Sequence, residues 1–206
     1  LPSQALIHNS EGFSMQDRIR LVLIYGSVRE ERFCDQVVAW AREQIEQRSE
    51  FELSLVDPAV MFRQPGEPQE IAEHRHQSLQ QLLRADAFLI VTPEYNHGYP
   101  AALKQFIDEV PASWEARPVG FVSYGGVSGG LRAVEQLRQV LAELHAMTVR
   151  GSVSFTNAWE QFDGQGRLSK PRRANSALAH TLVQLNWWAQ TLRAGRERVP
   201  YERIRG

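Results

Sequence analysis

The sequence predicts an α/β domain, a doubly wound parallel sheet with helices on both faces, and three observations predict it. Apolar runs of strand length alternate with amphipathic runs of helix length along the whole chain. Leu21 to Tyr25, Ala87 to Val91 and Val119 to Val122 are almost unbroken apolar runs, as strands buried on both faces must be. Each of these runs empties into a loop of small, polar or proline residues before a helical segment, which is where open parallel sheets bind ligands.

Taken in order, the first strand is Leu21 to Tyr25, and Cys34 to Arg48 reads as the first helix, with Val37, Val38, Ala41 and Ile45 on its buried face. The alternating segment Phe51 to Val56 is the second strand. Asp57 to Glu70 holds Pro58, Pro65, Gly66 and Pro68, so it reads as a surface loop able to border a ligand site. Ile71 to Arg84 is the next helix, Ala87 to Val91 the third strand, and Pro100 to Glu109 a helix with proline in its first turn. Val119 to Val122 is the fourth strand. Gly129 to His145 follows as a helix, with Leu131, Val134, Leu137 and Leu141 facing inward, and Thr148 to Phe155 is the fifth strand. A polar stretch, Asp163 to Arg173, precedes a last helix over Ala174 to Arg193, with Leu178, Leu182, Leu185 and Leu192 toward the sheet. Trp187 and Trp188 are adjacent and cannot share one helical face, which leaves one of them for a partner or for covering the core.

Composition narrows the function. With 206 residues, of which 43% are hydrophobic, the chain can bury one substantial core. No repeat or linker divides it, so residues 20–195 read as one domain between an N-terminal extension, 1–19, and a C-terminal tail, 196–206. Leu1 to Ser14 show no sustained periodicity. A formal net charge of −1 argues against nucleic acid as a partner and against the acidic surface of a dedicated electron carrier. The single cysteine, Cys34, excludes an internal disulfide, and no Cys/His cluster marks a metal site. No run reaches membrane-spanning length, the N-terminus lacks signal-peptide architecture, and the expected compartment is the cytoplasm.

The three loops carry the chemistry. Gly26-Ser27 allows close backbone approach, the N–H groups that open the following helix suit a phosphate, and Arg29 and Arg32 offer countercharge. An ordinary strand-to-helix connection with solvated arginines is the competing reading of that loop alone. Thr92 to Pro100 presents Glu94 and Asn96 to a heteroaromatic edge, with Tyr95 and His97 as planar surfaces, or else it is a proline-bounded loop whose aromatics merely pack. Ser123 to Gly130 has four glycines in eight positions, leaving N–H groups accessible to a ring carbonyl that gains charge on reduction. Neither the Walker A lysine nor the G-x-G-x-x-G spacing is present, so a mononucleotide suits the site better than ATP or tightly bound NAD.

Together the runs GSVREER, TPEYNHGYPAALKQFID and SYGGVSGGLRAVEQLRQVL, spread over about residues 20 to 155, resemble the NADPH-dependent FMN reductase family and its quinone, azo-dye and chromate reductase relatives. The resemblance implies a flavodoxin-like sheet of five parallel strands in order 2-1-3-4-5. It also implies non-covalent FMN, with NADPH or NADH as co-substrate, two-electron ping-pong turnover onto a small-molecule electron acceptor, and a homodimer or tetramer. By the same resemblance Ser27, Arg29, Arg32, Phe33 and Cys34 occupy the phosphate loop, Phe33 and Cys34 through their N–H groups. Pro93, Glu94, Tyr95 and Asn96 match the loop at the isoalloxazine ring, and Ser123, Tyr124, Gly125 and Gly126 the loop on its other side. No side chain is required as a catalytic acid, since flavin N5 carries the hydride. His97 and Tyr99 are candidates for the substrate mouth, and Tyr124 is another group able to border the substrate. A lowered thiol pKa at a helix N-terminus would make Cys34 a redox group, although packing is its simpler role. A flavodoxin-type electron carrier and a non-enzymatic binding module share the fold. Steady-state NADPH oxidation separates the first from an enzyme, and FMN binding the second.

Overall fold

The computed structural model describes residues 18–62 and 68–204. Five strands, β1 (Ile19–Tyr25), β2 (Phe51–Val56), β3 (Ala87–Pro93), β4 (Pro118–Gly125) and β5 (Met147–Thr156), form one parallel sheet in the order β2-β1-β3-β4-β5. The order is the expected one. It places the reversal of winding between β1 and β3, so the loops after those two strands face one crevice.

The unbroken apolar runs serve two cores, because successive strand side chains point to opposite faces. From β1, Ile19, Leu21 and Leu23 enter one core, together with Val37, Val38, Ala41 and Ile45 of helix α1 (Cys34–Glu46) and Leu178, Leu182 and Leu185 of helix α6 (Pro171–Arg198). Val22 and Ile24 enter the other. There they meet Leu82 of α3 (Pro68–Arg84), Phe106 and Ile107 of α4 (Ala101–Glu109), and Val134, Leu137 and Leu141 of α5 (Leu131–Glu143). At the amino end of β3 the fully buried Asp86 carboxylate is satisfied by the Arg20 guanidinium at 2.8 and 2.9 Å, with Arg193 and Arg196 beside it. That cluster fastens α6 to the sheet at the end opposite the crevice.

Several expectations need correction. The segment expected to be a loop from Asp57 to Glu70 contains a short helix, α2 (Ala59–Phe62), and α3 already begins at Pro68. A proline lacks the N–H that a first helical turn leaves unbonded anyway, so Pro68 opens the helix rather than preventing it. Residues 63–67 of that segment, and 1–17 of the expected N-terminal extension, lie outside the described residues. Leu131, expected inward, is half-exposed at the first position of α5. The last helix starts at Pro171 and runs to Arg198, and beyond it Tyr201 bonds His145 Nδ1 at 2.9 Å. Trp188 packs on the core while Trp187 stands 59% exposed beside it. No helix among the described residues is long and apolar enough to cross a membrane, and no group of His, Cys, Asp and Glu there has the makings of a metal site.

Candidate active site

At the end of β1 the chain passes under β3. A Cβ at Gly26 would lie 2.5 Å from the Val91 carbonyl oxygen, so only glycine lets the Gly26 N–H reach that oxygen at 2.7 Å. The close approach fixes the direction of the first loop. Ser27 is fully buried, and its hydroxyl lies 2.9 Å from the Tyr95 hydroxyl. The exposed Arg29 lays its guanidinium over the Tyr95 ring, 3.7 Å from the centroid. Among the described residues no carboxylate pairs with it.

Arg32 is placed differently. Its guanidinium forks onto Asp57, bonds Asp35 at 2.8 Å and the Ser27 carbonyl at 2.5 Å, and lies over the Tyr25 ring. Burial opposes its charge, but Asp57 and Asp35 outweigh that and raise its pKa. Arg32 therefore ties the loop to β2 and holds the Ser27 peptide. Phe33 and Cys34 stand at the N-cap and first position of α1, where N–H groups have no intrahelical acceptor. The Phe33 ring turns inward onto Tyr124 and Phe162, at 5.6 and 5.3 Å between centroids, so the backbone is what this residue offers the crevice.

The second loop is a tight hairpin. Tyr95 and Gly98 exchange N–H to carbonyl bonds at 2.8 and 3.0 Å, and the central residues Asn96 and His97 both have positive φ, 49° and 69°. Both central angles positive is the pattern of a type I′ turn, where asparagine is at home and histidine is strained. The side chains of both are exposed at the tip, and Gln136 of α5 braces the His97 carbonyl at 2.9 Å. Tyr99 is half-buried against the second core.

The Glu94 side chain is paired within the protein. Its carboxylate accepts the Arg132 N–H at 3.1 Å and the Arg132 guanidinium at 2.7 Å. Burial would raise its pKa, but the Ser128 hydroxyl and these Arg132 donors prevail and hold it below the usual carboxylate value. Its own N–H goes to the Tyr124 carbonyl at 3.1 Å, so Glu94 locks the second loop to the third.

In the third loop, the buried Ser123 hydroxyl donates to the Gly129 carbonyl at 2.8 Å, and Gly129 and Gly130 have φ of 60° and 86°. A Cβ at Gly130 would come within 2.7 Å of Ser123 Cβ, so the return of the chain over β4 also demands glycine. Ser123 thus shapes the loop from inside. One expectation about a side chain is corrected here, and for Cys34 the simpler of two is favoured. Tyr124 does not border the mouth: it is 6% exposed, and burial first, then the neighbouring Cys34, push its hydroxyl pKa up. Cys34 is fully buried against the Val91 carbonyl, and burial raises its thiol to about 11, which opposes a redox role.

Sequence reasoning missed Trp159, which stands at the carboxyl end of β5 beside the third loop. Its only signal was an aromatic residue just after an apolar strand.

Glycine where a Cβ would clash at Gly26, a buried hydroxyl beside an arginine with no carboxylate partner among the described residues, and a glycine-rich third loop fit a phosphorylated ligand with a flat ring. The fold and these loops define a flavodoxin-like protein whose crevice suits a mononucleotide. The family model described as NADPH-dependent FMN reductase matches residues 19–160, and the chain belongs to that family. It is 35% identical over 130 residues to an NAD(P)H-dependent FMN reductase of Schizosaccharomyces pombe, covering 59% of this chain and 64% of the relative, just under two thirds of its length. An NAD(P)H-dependent FMN reductase of Saccharomyces cerevisiae is 33% identical over 154 residues, covering 66% of this chain and 80% of the relative. Among solved structures, FerB, a flavoenzyme NAD(P)H:(acceptor) oxidoreductase from Paracoccus denitrificans, superposes with a TM-score of 0.63 at 19% identity over 82% of this chain and 97% of that one.

Proposed function

We propose that the protein oxidises NADPH or NADH and passes two electrons to a small acceptor such as a quinone, free flavin, azo compound or metal oxyanion, by a ping-pong scheme. For a quinone the balance is NAD(P)H plus quinone plus a proton giving NAD(P)⁺ plus hydroquinone. Bound FMN supplies the hydride-accepting ring that couples the two halves. The observation that carries the reading is the cluster of Ser27, Arg29 and Tyr95, which joins a phosphate-type loop to a second loop across the β1/β3 crevice.

In this reading Ser27, Arg29 and the N–H groups of Phe33 and Cys34 hold the phosphate, while Arg32 shapes their loop. Backbone groups from Pro93 to Asn96 fix one edge of the ring. The N–H groups of Gly125 and Gly126 stabilise negative charge on a ring carbonyl, at positions set by Glu94 and Ser123. His97 and Tyr99 flank the mouth. The expected assembly is a homodimer in a reducing cytoplasm, and sedimentation at micromolar concentration tests the dimer. Steady-state NADPH oxidation, dependent on an added naphthoquinone, tests the enzyme reading. Flavin-loaded protein that oxidises no nicotinamide would instead be an electron carrier.

A further inference from the structure

β5 ends at Thr156, and the chain turns through Asn157, at φ 43°, into a 3-10 turn at Ala158–Glu160. Ala158 is fully buried, yet Trp159 beside it is 60% exposed. The turn that presents this indole is firmly bonded. Asn157 N–H donates to the Gly126 carbonyl at 3.0 Å, Glu160 N–H to Asn157 at 2.9 Å, and Gln161 N–H to Ala158 at 3.0 Å. The Gln161 side chain adds a bond to the Thr156 carbonyl at 2.5 Å. A large aromatic ring is thus held at the surface by a structured element with a buried anchor, so its place rather than its exposure is informative.

Its place says what it contacts. A Cβ built on Gly126 would meet one atom within 4 Å, Cη2 of Trp159, at 3.7 Å. Among the described residues outside its own chain neighbours, the indole is thus what edges the side of Gly126 where a side chain would stand. Val127, next in the same loop, is 88% exposed. The only polar group of the indole is its N–H, so this wall suits a flat, weakly polar ring rather than a compact, hydrated anion.

We propose that Trp159 is the specificity-determining residue for the electron acceptor, giving planar quinonoid and other aromatic acceptors a stacking surface beside Gly126. This rests on the reading of Gly125 and Gly126 as the ring-side loop. The test uses FMN-loaded wild type, Trp159→Ala and Trp159→Phe, with a naphthoquinone and ferricyanide as alternative acceptors. Loss of an aromatic stacking partner is expected to raise the naphthoquinone KM about tenfold with kcat little changed, and phenylalanine to restore most of it. The ferricyanide KM and the anaerobic rate of reduction by NADPH should stay at wild-type values. An unchanged naphthoquinone KM in Trp159→Ala, or an equal rise for both acceptors, would overturn the inference while leaving the enzyme reading intact. A wild-type protein that takes up no FMN would overturn both.

Discussion

Replacing Arg29 by alanine separates the roles of the two arginines in the first loop. Arg29 is exposed, stacks on Tyr95 at 3.7 Å, and has no carboxylate partner among the described residues. Arg32 is 7% exposed at its side chain and committed to Asp57 and Asp35. A charge-assisted hydrogen bond contributes about 1.5–3 kcal/mol, and exposure to solvent puts Arg29 toward the lower half of that range. A loss of about 2 kcal/mol corresponds to roughly thirtyfold weaker FMN binding. Titration of apoprotein with FMN, followed by quenching of flavin fluorescence, measures it directly, and the melting temperature of the apoprotein should hardly move. Arg32→Ala should lower the melting temperature as well, because Asp57 loses its bidentate partner. An unchanged FMN dissociation constant in Arg29→Ala would refute the phosphate assignment for that residue.

Asn96→Ala should keep FMN bound while slowing anaerobic flavin reduction by NADPH in stopped flow, and a parental rate would make the hairpin merely structural. Glu94 is held below the usual carboxylate pKa, so its stabilisation is fully present above the unfolded value of about 4.3 and is lost as pH falls through the lower folded value. The melting-temperature deficit of Glu94→Gln relative to wild type should therefore be largest near neutrality and shrink in acid; a deficit that grows on acidification would contradict this. Cys34, buried and with its thiol raised to about 11, should resist a thiol-disulfide reagent at neutral pH until the protein unfolds, so prompt labelling of the native state would place it elsewhere.

The sheet was legible because parallel strands must be apolar on both faces, and β1, β3 and β4 announce themselves by runs that no amphipathic helix produces. The loops were legible because glycine reports backbone demands, as Gly26 shows by leaving no room for a Cβ; the positive φ of Asn96 and His97 was not read from the sequence. What the sequence hid was the pairing of side chains distant along the chain. Arg29 and Arg32 look alike in GSVREER, yet only the fold brings Asp57 to Arg32 and Tyr95 to Arg29. The sequence also hid the partner of the Glu94 carboxylate, Arg132 at the start of α5, 2.7 Å away. Tyr124 was misjudged for a related reason: strand alternation turns it toward Phe33 and Cys34, away from the mouth its loop borders.

Anaerobic addition of NADPH to protein loaded with a single equivalent of FMN tests the central claim most directly. The account predicts stoichiometric FMN uptake, bleaching of the flavin absorption by one equivalent of NADPH or NADH, and return of the oxidised spectrum when a quinone is added. Protein that takes up no FMN, or whose bound flavin keeps its oxidised spectrum under excess of both nicotinamides, would contradict it.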